Sequence, residues 1–353
     1  MWFKKSTKQV KQLDVSQQLN ELKSNGITLS IDELLQYQPK SSLIDFAANK
    51  NLHGQLSGNY LARSKGRGME FDEVRHYQTG DDIRAIDWRV TARTGKTHTK
   101  LFREEIERPV LIATDLGTSM QFGSQLLLKS VQAAHIAALI AWHAKKRGDR
   151  VGGIIFNHNQ HSEFKPRSRK TGVLHYLHGL IELQQQALSL LTTDNKRVTN
   201  HDTKHENKHK NKNNSKLDHE KFAQNCARLR QLARPGSLVY FLTDGQQLNQ
   251  ESIRHLTHIS RHCELVIVKI DDPLELDLPV VNNKINVLIS DGQQQQQLTL
   301  GDKKTSANYH LCAQLIADQQ QQSFTKAGAR VLNFTASKSI EQQLKQGANA
   351  WIR

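Results

Sequence analysis

From residue 110 onward the chain alternates short, mostly apolar runs with longer stretches whose apolar residues recur at three- and four-residue intervals. The runs at 110–114, 151–156, 238–242, 265–270 and 330–334 lack the strict alternation of a half-exposed strand. They read instead as strands covered on both faces. Helical spacing marks 125–146, 171–191, 222–232, 250–262, 309–327 and 339–345; in the second of these Leu174, Leu177, Leu180, Ile181 and Leu188 share one side. Gly148-Asp149-Arg150 and Arg234-Pro235-Gly236 interrupt the chain just before two of the strands. Residues 161–164 read as a short edge strand, and 287–289 with 296–300 as a hairpin around Ser290-Asp291-Gly292. Strands alternating with helices predict an α/β fold: a doubly wound, mainly parallel sheet with helices on both faces and right-handed crossovers.

The ends and one insertion break this rhythm. Residues 1–56 are polar, rich in Gln, Lys and Leu, and expected to be helical. Residues 57–108 are dense in charge and glycine, carry the aromatics Phe71, Tyr77, Trp88 and Phe102, and resist assignment to helix or strand. The α/β domain is expected over 109–353. Within it, residues 193–221 are almost free of apolar side chains, so they are expected to form a flexible, disordered basic loop that buries nothing.

Composition narrows the function. With 37% hydrophobic and 24% charged residues over 353 positions, the chain has enough apolar content for a real core. No stretch of about 18 uncharged apolar residues suggests a membrane span; the longest apolar run, 131–143, is interrupted by Gln132 and His135. The start, Met1-Trp2-Phe3-Lys4-Lys5, lacks the apolar core of a signal peptide. Cys226, Cys263 and Cys312 are far apart and read as reduced thiols, so a cytoplasmic setting is expected. The net charge of +15 invites a nucleic-acid reading, but eight of the 49 lysines and arginines lie in the 193–221 insertion. Elsewhere bases and acids are interleaved, as in Arg103-Glu104-Glu105-Ile106-Glu107-Arg108, and no aromatic residues cluster among the lysines.

The chemistry worth following lies where strands end. Open parallel sheets bind ligands beyond the carboxyl ends of their strands, and Asp115 and Asp244 each follow a predicted strand. Beside the first, Gly117, Thr118 and Ser119 offer a tight turn and two hydroxyls. Two carboxylates with one or two hydroxyls suit a hard cation such as Mg²⁺ that keeps several waters; the alternative is that both aspartates simply cap the following helices. His201, His205 and His209 recur at four-residue spacing and on a helix would make a zinc or nickel face, though the Asn- and Lys-rich context favours a loop. Asp81, Asp82 and Asp87 could be mistaken for a paired-carboxylate centre. With Arg75, Arg84 and Arg89 nearby and no nucleophile or phosphate loop, they read as an ion-pair network.

The residues from Gly66 to Trp88, GRGMEFDEVRHYQTGDDIRAIDW, resemble the signature of the domain-of-unknown-function 58 family. The likeness continues through Thr91-Ala92-Arg93 and Arg103-Glu104-Glu105 into Asp115-Leu116-Gly117-Thr118-Ser119-Met120. It implies a von Willebrand factor A-like fold acting as a bacterial, cytoplasmic, non-enzymatic interaction module. It also implies a partner, a MoxR-type AAA+ ATPase or that ATPase's client protein. Such a domain's metal-ion-dependent adhesion site reads Asp-x-Ser-x-Ser, with a threonine and a later aspartate. Here Asp115, Ser119 and Asp244 match and Thr171 is the candidate threonine. Gly117 stands in place of the middle serine, so the resemblance implies a degenerate site for Mg²⁺ or Mn²⁺. A basic nucleic-acid-binding protein and a metal-dependent hydrolase are the alternatives.

Overall fold

The computed structural model describes residues 15–42, 69–104, 107–198, 207–281, 283–290 and 295–347. They belong to two compact units, one made of Met1–Ile44 with Arg108–Arg353 and the other of Asp45–Glu107.

Three short helices, α1 (Val15–Leu22), α2 (Ile31–Leu35) and α3 (Tyr37–Lys40), open the larger unit. Ser30 starts α2 with a full capping box, accepting from the Glu33 N–H while the Glu33 carboxylate accepts from the Ser30 N–H. The smaller unit is an antiparallel hairpin of β1 (Met69–His76) and β2 (His98–Glu104), with α4 (Trp88–Thr94) in the connection. This is the stretch whose periodicity resisted assignment. Its acidic residues are spent locally. Asp82 caps a single 3₁₀ turn through the Arg84 N–H, and Asp87 caps α4 through the N–H groups of Arg89 and Val90. Asp81 pairs with Arg75 at 2.7 Å. Of the three arginines expected to form an ion-pair network, Arg75 does so among the described residues through its side chain, while Arg84 and Arg89 supply backbone donors to Asp82 and Asp87.

The larger unit is built on a six-stranded sheet. Its strands are β3 (Pro109–Asp115), β4 (Arg150–Phe156), β5 (His161–Arg167), β6 (Leu238–Thr243), β7 (Glu264–Asp271) and, after the separate hairpin β8 (Ile285–Ser290) and β9 (Gln295–Leu300), β10 (Arg330–Thr335). The order across the sheet is β5-β4-β3-β6-β7-β10, parallel throughout except that β5 runs against β4. Counted in chain order within the sheet this is 3-2-1-4-5-6, the doubly wound order whose direction of winding reverses between β3 and β6. Gly153 lets β3 and β4 lie close. Its φ is +152°, and a Cβ there would stand 1.9 Å from the Ile112 carbonyl oxygen.

Helices α5 (Lys129–Lys146), α6 (Arg169–Val198), α7 (Asn207–Leu232), α8 (Gln250–Ser260), α9 (Pro273–Leu276), α10 (Lys303–Lys326) and α11 (Ile340–Gly347) complete the unit. Helix α5 is apolar on nearly every side because it is enclosed: it packs on β3 and β4, on α6, and on α2 and α3. Helices α2 and α3 are therefore fastened to this body. The His135 imidazole lies between the Glu33 carboxylate (2.5 Å) and the Tyr37 hydroxyl (3.0 Å), and Trp142 Nε1 donates to the Leu34 carbonyl (3.3 Å). Helix α5 begins at Lys129 rather than near 125, since the preceding backbone is tied outward, Leu127 N–H to the Ala336 carbonyl and Leu128 N–H to that of Gly26.

The basic insertion differs from expectation. Helix α6 runs to Val198 and α7 begins at Asn207, so 193–198 and 207–221 are helical where a flexible loop was expected. No glycine or proline falls within 193–198 or 207–221, and helices already nucleated on packed turns extend at little cost. His201 and His205 lie outside the described residues. Asn157, just past β4, donates to the Leu183 carbonyl of α6, and Asn249, past β6, donates to the His219 carbonyl of α7. The carboxyl ends of the strands are thus level with those two helix positions, and both helices continue beyond them.

Candidate functional site at the carboxyl rim of the sheet

The reversal of winding opens a crevice between the ends of β3 and β6, and the two predicted aspartates meet there. Asp115 is the last residue of β3, and Asp244 directly follows Thr243, the last residue of β6. Both carboxylates are buried, at 2% and 1% exposure. Asp115 Oδ1 accepts from the Gly117 N–H (2.9 Å) and Oδ2 from the Thr243 hydroxyl (2.9 Å). Asp244 Oδ1 accepts from the Gln246 N–H (3.0 Å).

The other Asp244 oxygen is taken by a residue the sequence reading passed over. Lys129, first residue of α5, places its Nζ 2.8 Å from Asp244 Oδ2 and 2.5 Å from Glu275 Oε1, with its side chain wholly buried. Glu275 belongs to α9, whose start is capped by Asp272. Asp272 in turn accepts from the Ser124 N–H (2.8 Å) and hydroxyl (2.5 Å). Glu275 Oε2 accepts from the Asp272 N–H at 3.0 Å, so one carboxylate both closes the capping box and covers the ammonium.

The electrostatics follow from this packing. Burial and then the neighbouring Asp244 charge push the Asp115 carboxyl up to about 7, outweighing its two hydrogen bonds and the more distant Lys129. Burial opposes the charge on Lys129, but Asp244 and Glu275 prevail and hold its pKa above the ordinary lysine value. Burial raises Glu275, against the pull of Lys129.

The remaining predicted residues separate into two groups. Ser119 stays at the rim, on the 3₁₀ turn Thr118–Gln121, and its hydroxyl is buried without a hydrogen-bond partner. Thr171 is not part of the site. Strand β5 runs antiparallel to β4 and returns the chain to the opposite edge, Arg167 pairing with Val151 at the start of β4. Thr171 follows at the head of α6, exposed, its hydroxyl donating to the Ser168 carbonyl. The threonine beside Asp115 is Thr243, reached across the sheet rather than along a loop.

This donor set does not suit a divalent ion. Gly117 brings no side-chain oxygen, Thr171 is on the far edge, and one oxygen of Asp244 is bound to an ammonium. Among the described residues no group of three or more His, Cys, Asp or Glu side chains is arranged to hold a metal. A cavity of about 30 Å³ opens beside Asp115, lined by Gly117, Asn157, His158, Asp218 and Lys221, enough for water but not for a substrate. Toward β10 the rim widens into an open groove of about 890 Å³, with Pro273, Leu276, Pro279 and Phe334 among its walls beside Asp271 and Asp272.

Lys129 had a signal in the sequence. A lysine at the head of an apolar helix is misplaced with respect to the helix dipole, which favours acids there. Such a residue is expected to have a carboxylate waiting for it.

The family model described as "Protein of unknown function DUF58" matches residues 73–321. Uncharacterized proteins from Mycobacterium bovis and Mycobacterium tuberculosis are each 34% identical over 114 residues, covering 32% of this chain and 36% of theirs. The matched stretch thus spans about a third of the length of those curated relatives. Among solved structures, the chain is similar to the conserved hypothetical protein BatB from Bacteroides thetaiotaomicron, at 12% identity and a TM-score of 0.35, covering 69% of this chain and 98% of that one. It is also similar to an aerotolerance-related membrane protein from Bacteroides fragilis, at 12% identity and a TM-score of 0.37, covering 69% and 99%. Likenesses at those scores carry no argument about fold or function. Among the described residues no helix is long and apolar enough to cross a membrane.

Proposed function

We propose, for a chain that belongs to the DUF58 family of proteins of unknown function, that it is a non-enzymatic interaction module whose carboxyl rim receives a partner. In this reading the larger unit is a von Willebrand factor A-like domain. The 3-2-1-4-5-6 strand order, with acids at the winding reversal, supports that assignment. The partner is a MoxR-type AAA+ ATPase or its client, as the resemblance of residues 66–88 and 115–120 implies.

The observation that carries the reading is the state of the rim. Its charged groups are bonded to one another rather than held open around a substrate-sized cavity, while a broad groove with apolar walls lies beside them. That combination suits a polypeptide surface better than general acid–base work, which needs a titratable group free to reach a substrate. The test uses two exposed rim positions, Thr118 and Gln246. Thr118→Arg and Gln246→Arg should leave the melting temperature unchanged and reduce capture of the AAA+ ATPase about tenfold, a loss of roughly 1.4 kcal/mol of binding. Undiminished capture by both variants would retire the rim as the docking face.

A further inference from the structure

We propose that Lys129 is the resident cation of this rim, standing where a divalent ion would otherwise bridge its carboxylates, so that the site operates without a metal.

Three observations lead there. The Lys129 ammonium is wholly buried and bonded to two carboxylates drawn from different parts of the chain, Asp244 after β6 and Glu275 in α9. Asp244 is also the position that a metal reading of the rim needs for a ligand. Next, the groups that a metal would require are missing in a coordinated way: Gly117 has no hydroxyl, Thr171 sits at the opposite edge, and the Ser119 hydroxyl is left buried without a partner. Last, a buried ion pair is seldom kept for stability, because a well-packed apolar side chain in its place is often as good. A lysine held at the positive end of a helix dipole, where its charge is least welcome, is better understood as supplying charge to the site. A divalent ion added to Asp244 would face that ammonium as a like charge. The two cations are alternatives.

The inference builds on the rim as a docking face, but its test uses the isolated full-length protein, so it can fail while partner capture succeeds, and the reverse. Calorimetric titration of the wild type with MgCl₂ and MnCl₂ should show no saturable binding at millimolar concentration, and EDTA should leave Tm unchanged. One-to-one binding that disappears in Asp244→Asn would overturn the proposal. Lys129→Met keeps a long chain and removes the charge. It frees Asp244 Oδ2 and Glu275 Oε1, the two oxygens the ammonium occupies, and should so gain what the wild type lacks, a weak site and a Tm that rises with Mn²⁺, since an ion bound only by the folded state stabilises it by mass action. A folded Lys129→Met protein indifferent to Mn²⁺ would also count against the proposal. If that variant does not fold, the wild-type titration decides alone.

Discussion

The larger unit contains two buried polar networks of similar make-up and opposite character. One is Glu33, His135 and Tyr37, joining the N-terminal helices to α5; the other is Asp115, Lys129, Asp244 and Glu275 at the sheet rim. Each sets carboxylate against a nitrogen base inside the fold. In the first, all three residues are at most 1% exposed and the imidazole uses both ring nitrogens, with Trp142 and Leu34 buried alongside. In the second, the Glu275 side chain is 26% exposed, a neighbouring hydroxyl lacks a partner, and one carboxyl is driven toward neutrality. A Glu-His-Tyr row resembles catalytic machinery in outline, yet it is a fastener. The less tidy network is the candidate site. Incomplete satisfaction, more than residue type, separates the two.

The largest effect should come from the rim's cation. Lys129→Ala leaves Asp244 and Glu275 without their counter-charge and is expected to cost about 3–5 kcal/mol in urea denaturation. A loss below about 1 kcal/mol would mean that the pair is not desolvated as described. The fastener comes next. His135→Ala strips the hydrogen-bond partner from a buried carboxylate and a buried phenol, for roughly 2–3 kcal/mol. Its signature is local: hydrogen exchange should accelerate in residues 15–42 before it does at the rim, and uniform acceleration would break the distinction between the networks. Reckoned per pH unit, the smallest effect is in pH dependence. Because the folded-state pKa of Asp115 lies above its unfolded value, the folded chain binds the extra proton between about pH 4 and 7. Stability should therefore fall as pH rises through that window, by on the order of 1 kcal/mol per unit. Asp115→Asn should flatten this slope, and an unchanged slope would show that another group is titrating.

Much of this was legible in the residues. Buried parallel strands are nearly continuous apolar runs, and those at 110–114, 151–156, 238–242 and 265–270 stand within the observed β3, β4, β6 and β7. Asp115 and Asp244 were placed by a rule of sheet geometry and do share one rim. What escaped was whatever depends on contacts distant in sequence. Glu275 lies 146 residues beyond the lysine it binds, and no local periodicity records that. Thr171 was misjudged because strand direction is not written in a four-residue polar run, and the antiparallel course of β5 takes it to the other edge. The hairpin of β1 and β2 was opaque for a related reason: its strands are dense in charged residues, which do not write the apolar–polar alternation that marks a strand.

The backward course of β5 has one more effect. Starting from the far edge, the 30 residues of α6 rise about 45 Å, while a seven-residue strand such as β4 climbs only about 23 Å. The surplus overtops the strand ends beyond Leu183, and α7 descends past His219 on its way back. The two helices, described up to Val198 and from Asn207, therefore stand as a mast over one flank of the crevice. Under the proposed docking at the rim, this mast narrows the directions from which a partner can approach the crevice.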